Sequence, residues 1–204
     1  TGKSYGAQTY VSAGGVCDGV NDCSVKMDRR VQVDVKFQPR LCLNKWCWHH
    51  PLPQGNALLG MWGTGRSDIW AVGDGGTALH YDGQTWALQN TGTKTNLNGV
   101  YAPAAGAAVV VGDAGLVLRW NGSSFASEPS GTLMNLNSVW GASASNVFAV
   151  GDTGTIIRNM GSGWVPMSSG TTNNLYRVSG SGADNVWAVG QSGTVRSYAG
   201  TSWN

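Results

Sequence analysis

Residues 147–158 read VFAVGDTGTIIR, and three related stretches recur along the chain. They read WAVGDGGTALHY at 70–81, VVVGDAGLVLRW at 109–120 and WAVGQSGTVRSY at 187–198. The turn glycines Gly73, Gly112, Gly151 and Gly190 are each 39 residues apart. A Gly-Asp-x-Gly turn divides two apolar segments in each copy, with Gln191 replacing the aspartate in the last. Self-similarity at one fixed period is the signature of a repeat protein.

Each repeat predicts four short strands. In the third unit the apolar segments between turn residues are Leu136–Trp140, Val147–Val150, Thr155–Arg158 and Trp164–Met167. Four strands in about 40 residues is the pattern of a propeller blade. We therefore predict an all-β, propeller-like array of four-stranded repeats at 58–96, 97–135, 136–174 and 175–204. Residues 1–57 are expected to form an N-terminal cap, or a further irregular blade, within one compact domain.

Composition agrees with turn-rich β structure. The chain has 204 residues, of which 31 are glycine and 10 tryptophan, and 12% are charged, which is too few charges for helical surfaces. The net charge of +2 gives no reason to expect nucleic acid as a partner. No apolar run approaches the roughly 20 residues that span a bilayer. No signal peptide precedes Thr1, so we expect a processed or trimmed chain.

All four cysteines lie in the N-terminal cap. An even number suggests two disulfides and an oxidising location, either secreted or on the outer cell surface. A two-residue Asn44-Lys45 turn would place Cys42 opposite Cys47, close enough for a bridge. Cys17 and Cys23 would then close a small loop. The alternative is a four-thiolate zinc site, which the cysteine spacing disfavours.

The loop between Cys17 and Cys23 offers a weak calcium site. Asp18, Asn21 and Asp22 carry oxygen atoms that suit calcium. Three such side chains are few for this ion, so a simple disulfide-closed turn is the favoured interpretation.

The histidines carry the metal hypothesis. If the cysteine hairpin continues as a strand, Trp48 and His50 share one face because side chains alternate. His80 occupies a repeat position held elsewhere by Arg119, Arg158 and Ser197, which alternates with apolar positions and is expected to point outward. Two imidazoles without a nearby carboxylate cluster suit copper(I) better than zinc. His49 is the reserve ligand, and the competing interpretation of His80 is an ordinary polar surface residue.

The segment Asn44–Pro51, with its Trp48-x-His50 motif, resembles the copper site of the methanotroph surface copper-binding proteins of the MopE and CorA kind. In that family a tryptophan two residues before a histidine is oxidised to kynurenine and joins two histidines on copper(I). The resemblance implies that Trp48 is the kynurenine precursor and that His50 and His80 are the imidazole ligands. It also implies a secreted or surface-associated protein that serves copper acquisition.

The alternative function is a carbohydrate-binding or adhesive surface propeller without a metal role. Trp86, Trp164 and Trp203 recur at one repeat position and are candidate sugar platforms, although their periodicity favours blade packing. The segment Asp82–Trp86 resembles the Asp-box turn of sialidase-like propellers. The acidic residues are mostly turn formers and no arginine triad is evident, so we predict that the protein is not an enzyme.

Overall fold

The structure is a computed structural model that describes residues 55–204 in full, together with the backbone of five short strands in the first 54 residues. The chain divides into two compact units, Thr1–Gln54 and Gly55–Asn204. Within the described residues, no helix is long and apolar enough to cross a membrane.

The described strands of the first unit pair in antiparallel fashion. Strand β1 (Gln8–Ser12) pairs with β2 (Gly15–Cys17) and with β3 (Gln38–Pro39), and β4 (Cys42–Leu43) pairs with β5 (Trp46–Cys47). The β4–β5 hairpin has the expected register, with Cys42 opposite Cys47 and Leu43 opposite Trp46. This register agrees with the predicted pairing of Cys42 and Cys47.

The two disulfides stay predictions. Only the backbone is described at Cys42 and Cys47, and Cys23 lies outside the described residues. The candidate calcium residues Asp18, Asn21 and Asp22 also lie outside them.

The second unit consists of four antiparallel sheets, here called blades 1 to 4. Blade 1 contains β6 (Leu58–Gly65), β7 (Asp68–Gly73), β8 (Thr77–Tyr81) and β9 (Trp86–Gln89). Blade 2 contains β10 (Leu97–Tyr101), β11 (Ala108–Gly112), β12 (Val117–Trp120) and β13 (Phe125–Ser127). Blade 3 contains β14 (Leu136–Ser143), β15 (Asn146–Gly151), β16 (Ile156–Asn159) and β17 (Trp164–Met167).

Blade 4 contains β18 (Leu175–Gly182), β19 (Asn185–Gly190) and β20 (Val195–Tyr198), followed by a single β-bridge between Tyr198 and Trp203. The predicted all-β, propeller-like array with a 39-residue period is confirmed. Its first strands begin at Leu58, Leu97, Leu136 and Leu175, one period apart.

The Gly-Asp-x-Gly segments form one tight turn in every blade. In blade 3 the turn spans Asp152–Gly154, with Thr153 at φ 54° and Gly154 at φ 72°. A Cβ added to Gly154 would overlap the carbonyl of Thr171, so glycine is required both by the left-handed backbone and by the close approach.

Face-to-face stacking of the blades buries their apolar side chains in three clusters. Each blade has an outgoing face toward the next blade and an incoming face toward the preceding one. The outgoing residues sit at equivalent repeat positions, namely Trp70, Val72 and Ala78 in blade 1, Val109, Val111 and Val117 in blade 2, and Phe148, Val150 and Ile156 in blade 3. All of them are almost fully buried against the next blade.

Polar ties link successive blades at their first strands. The Asn137 side-chain amide donates to Asp152 Oδ1 at 2.9 Å and to the Leu175 carbonyl of blade 4 at 2.9 Å. Asn98 makes the same two bonds one period earlier, to Asp113 and to the Leu136 carbonyl.

Candidate functional site

His80 lies against an aromatic ring and a carboxylate at the boundary of blades 1 and 2. It stands directly opposite Trp70 in the β7–β8 ladder, so the two side chains share the outgoing face of blade 1. The imidazole stacks on the Trp70 indole, with ring centroids 4.2 Å apart and an interplanar angle of 18°. Trp70 in turn packs on Trp120 and Phe125 of blade 2.

The second partner of His80 is Asp68, two residues before Trp70 on the same face. His80 Nε2 lies 2.7 Å from Asp68 Oδ1. Thr64 donates its hydroxyl to Asp68 Oδ2, and the Gly106 amide of the neighbouring blade approaches Oδ1 at 3.5 Å. Burial raises the pKa of Asp68, but the hydrogen bonds from Thr64 and His80 outweigh it and hold that pKa below its ordinary value.

An ionised Asp68 fixes the tautomer of a neutral His80. A carboxylate only accepts hydrogen bonds, so Nε2 carries the proton and donates it to Asp68. The lone pair of the neutral ring then resides on Nδ1, which is the atom that would bind a metal. A carboxylate behind a metal-binding histidine is a common arrangement, because it fixes the ring orientation and raises its basicity.

The expectation that His80 points outward is wrong. Alternation along a strand distinguishes two faces, but in stacked blades both faces meet protein, so a polar position can face the next blade. A single carboxylate, that of Asp68, contacts the ring, and the sequence pattern did not predict this contact. Counting same-face positions on β7, where Asp68 precedes Trp70 by two residues, is the signal that identifies it.

A structural role for the same position is visible in blade 3. Arg158 occupies the repeat position that is equivalent to His80. Its Nε donates to Asn146 Oδ1 at 2.9 Å, and its guanidinium lies 4.8 Å from the centre of the Phe148 ring. Asn146 and Phe148 correspond to Asp68 and Trp70. The fold therefore places a polar group over an aromatic ring at this position in both blades, and in blade 1 that group is an imidazole.

The other predicted copper ligands, Trp48, His50 and the reserve His49, lie outside the described residues. Among residues 55–204 no group of three or more His, Cys, Asp or Glu side chains could hold a metal ion.

Two of the three recurring tryptophans, Trp164 and Trp203, belong to the core clusters. Trp164 and Trp203 are buried, and Trp164 donates its indole N–H to Glu128 Oε2 at 2.8 Å. Neither ring is presented as a sugar platform. In the Asp82–Trp86 segment the Asp82 carboxylate accepts the backbone N–H groups of Gln84 and Thr85, so it forms the turn.

Glu128 forms a second charged pair, with Arg119 of the same blade, and it also contacts Trp164 of blade 3. Its carboxylate accepts from Arg119 Nε at 2.5 Å in addition to Trp164. Burial raises the pKa of Glu128, but these two hydrogen bonds lower it below its ordinary value. This pair lines a groove of about 380 Å³ with Asn159 and Gly161.

No family model matches this chain, and no curated protein matches it. Solved structures do. The chain is similar to a structure described as YCF48 bound to D1 peptide, at 19% identity and a TM-score of 0.60, over 75% of this chain and 54% of that one. It is also similar to YCF48 from Cyanidioschyzon merolae, at 19% identity and a TM-score of 0.59, over 76% and 57%. The chain thus spans little more than half of either structure, and the likeness concerns the fold.

Proposed function

We propose that this protein is a secreted or outer-surface copper(I)-binding β-propeller protein that serves copper acquisition. One copper(I) ion per chain is held by the imidazoles of His50 and His80, with an oxidised Trp48 as a third, weaker contact. The observation that supports this proposal is the Asp68–His80 pair, in which Nε2 faces the carboxylate, so that in the neutral ring the Nδ1 lone pair is directed away from Asp68.

The chemistry of this ligand set suits reduced copper. Copper(I) accepts few ligands and is satisfied by two imidazoles, whereas zinc requires a fourth strong ligand. Asp68 acts on His80 and not on the metal, so its role is that of a positioning residue.

The conversion of Trp48 to kynurenine consumes one dioxygen and one water. Dioxygen cleaves the indole C2–C3 bond, is itself reduced, and leaves one oxygen atom on each carbon. Water then hydrolyses the N-formyl group and releases formate. The product carries an aryl amine and a ketone, which can contact copper where the indole could not. The net change is one carbon exchanged for one oxygen, which an intact-mass spectrum of protein from its native host resolves.

Histidine substitutions test the ligand set. We expect His50→Ala and His80→Ala each to lose the copper that the parent protein retains after loading with copper(I) and desalting, as measured by elemental analysis. His49→Ala is the matched control and should retain it. If His49→Ala loses its copper and His80→Ala retains it, the second imidazole ligand is His49 and not His80. Full retention in both His50→Ala and His80→Ala would overturn the proposal.

The metal-free alternative makes the opposite prediction. A carbohydrate-binding or adhesive propeller would bind glycans and leave copper unbound. The burial of Trp164 and Trp203 weighs against sugar stacking on these rings. Glycan binding without copper retention would favour this alternative.

A further inference from the structure

The chain contains two Asn-Gly pairs, and their surroundings differ. Asn98–Gly99 belongs to strand β10, whereas Asn121–Gly122 begins the turn that joins β12 to β13. The four turn residues 121–124 are all exposed. An asparagine side chain is most open to attack by the next backbone nitrogen when that residue is glycine, because glycine has no side chain to hinder the approach and leaves the backbone free to adjust.

The side-chain carbonyl of Asn121 receives three hydrogen bonds. Its Oδ1 accepts from the backbone N–H groups of Ser123 and Ser124 at 3.0 and 2.9 Å, and from the Ser123 hydroxyl at 3.0 Å. A nucleophile that attacks Cγ places negative charge on this oxygen, and donors that already point at the oxygen stabilise the charge that develops there. The turn therefore activates Cγ of Asn121 for attack.

The two nitrogen atoms of the reaction are accessible as well. Gly122 has a φ of 100°, and a Cβ added to it would meet nothing within 4 Å, so water reaches its peptide group from that side. The side-chain nitrogen of Asn121 lies 3.3 Å from the Ser124 hydroxyl oxygen. This hydroxyl can pass a proton to the nitrogen as it leaves.

We propose that Asn121 is a modification site, at which the asparagine is converted through a cyclic imide into aspartate and isoaspartate. The Gly122 backbone nitrogen loses its proton to water and forms a bond to Asn121 Cγ. The bond between Cγ and Nδ2 breaks, and the nitrogen leaves as ammonia. Water then opens the ring at Cγ, which gives aspartate, or at the main-chain carbonyl, which gives isoaspartate. One water enters, one ammonia leaves, and no atom is oxidised or reduced.

The equivalent turn of blade 1 shows that aspartate fits this position. Asp82 lies 39 residues before Asn121, and its Oδ1 accepts the backbone N–H groups of Gln84 and Thr85 at 2.8 and 2.7 Å. The hydrogen bonds from Thr85 and Gln84 lower the pKa of Asp82 below its ordinary value. An aspartate at position 121 therefore stays ionised at neutral pH, and the modification adds a negative charge to an exposed turn of blade 2.

The packed strand protects Asn98 from the same reaction. Its side-chain amide donates to Asp113 Oδ1 at 2.8 Å and to the Leu136 carbonyl at 3.0 Å. Gly99 is buried in the β10–β11 ladder, and a Cβ added to it would lie 3.2 Å from Ser138 Cα. Ring closure at Asn98 would break these hydrogen bonds and bend the strand. Asn98 is therefore an internal control that has the same two-residue sequence.

Peptide mapping by mass spectrometry, after incubation in mildly alkaline buffer, tests the proposal. In the folded parent protein we expect Asn121 to gain about 1 Da, the difference between a hydroxyl and an amino group, with isoaspartate among the products. Conversion of Asn98 should be slower by on the order of tenfold or more, because its hydrogen bonds must break first. In urea-unfolded protein the two rates should become similar, because the structural difference is lost.

Two variants examine the turn itself. Ser123→Ala removes one of the three donors to Oδ1 and should slow the conversion of Asn121 several-fold in the folded protein but not in the unfolded protein. Asn121→Gln is the control and should gain no mass at this position, because glutamine would have to close a larger ring. An unchanged Asn121 in the folded parent protein would overturn the proposal. Equal conversion of Asn98 and Asn121 there, or aspartate without any isoaspartate, would also overturn it.

Discussion

At the scale of single residues, a turn glycine can be required by its left-handed backbone or by the close approach of a neighbouring carbonyl. Substitutions at two glycines separate these requirements. Gly154 and Gly193 have nearly the same backbone, with φ of 72° and 71°. An added Cβ meets the Thr171 carbonyl at Gly154 but nothing within 4 Å at Gly193. The pair therefore isolates the close approach from the left-handed conformation.

We expect Gly193→Ala to lower the free energy of unfolding by about 1–2 kcal/mol, the usual cost of a left-handed L-residue. Gly154→Ala should cost about 1–3 kcal/mol more, because the backbone must also move to admit the methyl group. Urea unfolding measures both values. Equal losses in the two variants would contradict the account of this turn.

The Glu128 carboxylate makes a pH-dependent contribution to stability. Burial raises the pKa of this carboxyl, but the hydrogen bonds from Arg119 and Trp164 outweigh it. The pKa in the folded chain therefore lies below its ordinary value. Because the pKa of Glu128 is lower in the folded chain than in the unfolded chain, its ionised form stabilises the fold. This stabilisation is present at pH values above the pKa of the unfolded chain and is lost as the pH falls through the pKa of the folded chain. Glu128→Gln should therefore be less stable than the parent by about 1 kcal/mol at neutral pH.

The difference between Glu128→Gln and the parent should shrink between about pH 6 and pH 3, as thermal unfolding across that range would measure. In an Arg119→Met background the same substitution should lose most of its effect. A difference that is constant with pH would show that the charge of Glu128 contributes nothing.

The position of His80 shows what residue patterns predict and what they miss. The polar character of its repeat position was readable from Arg119 and Arg158, but a period-2 pattern cannot tell solvent from a neighbouring blade. The Asp68–His80 pair depends on a diagonal contact across two strands, which becomes visible only when the strand register is known. Trp48 and His50 lie outside the described residues, so their arrangement stays a prediction.

At the scale of strands and blades, the asparagine ties couple neighbouring sheets. Replacing Asn137 removes two hydrogen bonds that its side-chain amide donates. One goes to the Leu175 carbonyl of blade 4 and the other to the Asp152 carboxylate. We expect Asn137→Ala to destabilise the protein by about 1–3 kcal/mol, the cost of leaving such groups unpaired. Unfolding of Asn137→Ala and of the parent protein, compared under the same conditions, would measure this difference in the free energy of unfolding.

Two further asparagines serve as references for Asn137→Ala. Asn98→Ala should cost about as much, because Asn98 makes the equivalent bonds one repeat earlier. Asn90→Ala should cost less than about 0.5 kcal/mol, because among residues 55–204 this exposed side chain bonds only to the nearby Gly92 amide. A loss at Asn137 no larger than that at Asn90 would contradict the inter-blade role.

The blades themselves were predictable because the turn glycines, the apolar alternation and the repeat period all indicate the same structure. The glycines fix the turn, the alternating apolar residues fix both faces, and the 39-residue period fixes where each first strand begins. Strand ends were less predictable, since β14 runs to Ser143 and not to Trp140. Its last residues pair across a register shift with Asn146, which the apolar pattern does not encode.

At the scale of the whole molecule, the repeat scaffold orients the imidazole that we propose as a copper ligand. The array presents His80 at the boundary of two blades, where Trp70 and Asp68 restrict the ring. The repeat supplies a matched replacement, because arginine occupies the same position in blades 2 and 3. His80→Arg should keep both the stacking on Trp70 and the pairing with Asp68, as Arg158 does with Phe148 and Asn146.

Competition for copper(I) against a chromogenic chelator, with the parent protein and His80→Arg compared at neutral pH, measures whether His80 is a copper ligand. We expect the parent protein to withdraw one copper(I) per chain from the chelator. His80→Arg should unfold at a similar temperature but withdraw almost none. Equal copper binding by the two proteins would contradict the claim that His80 is a ligand.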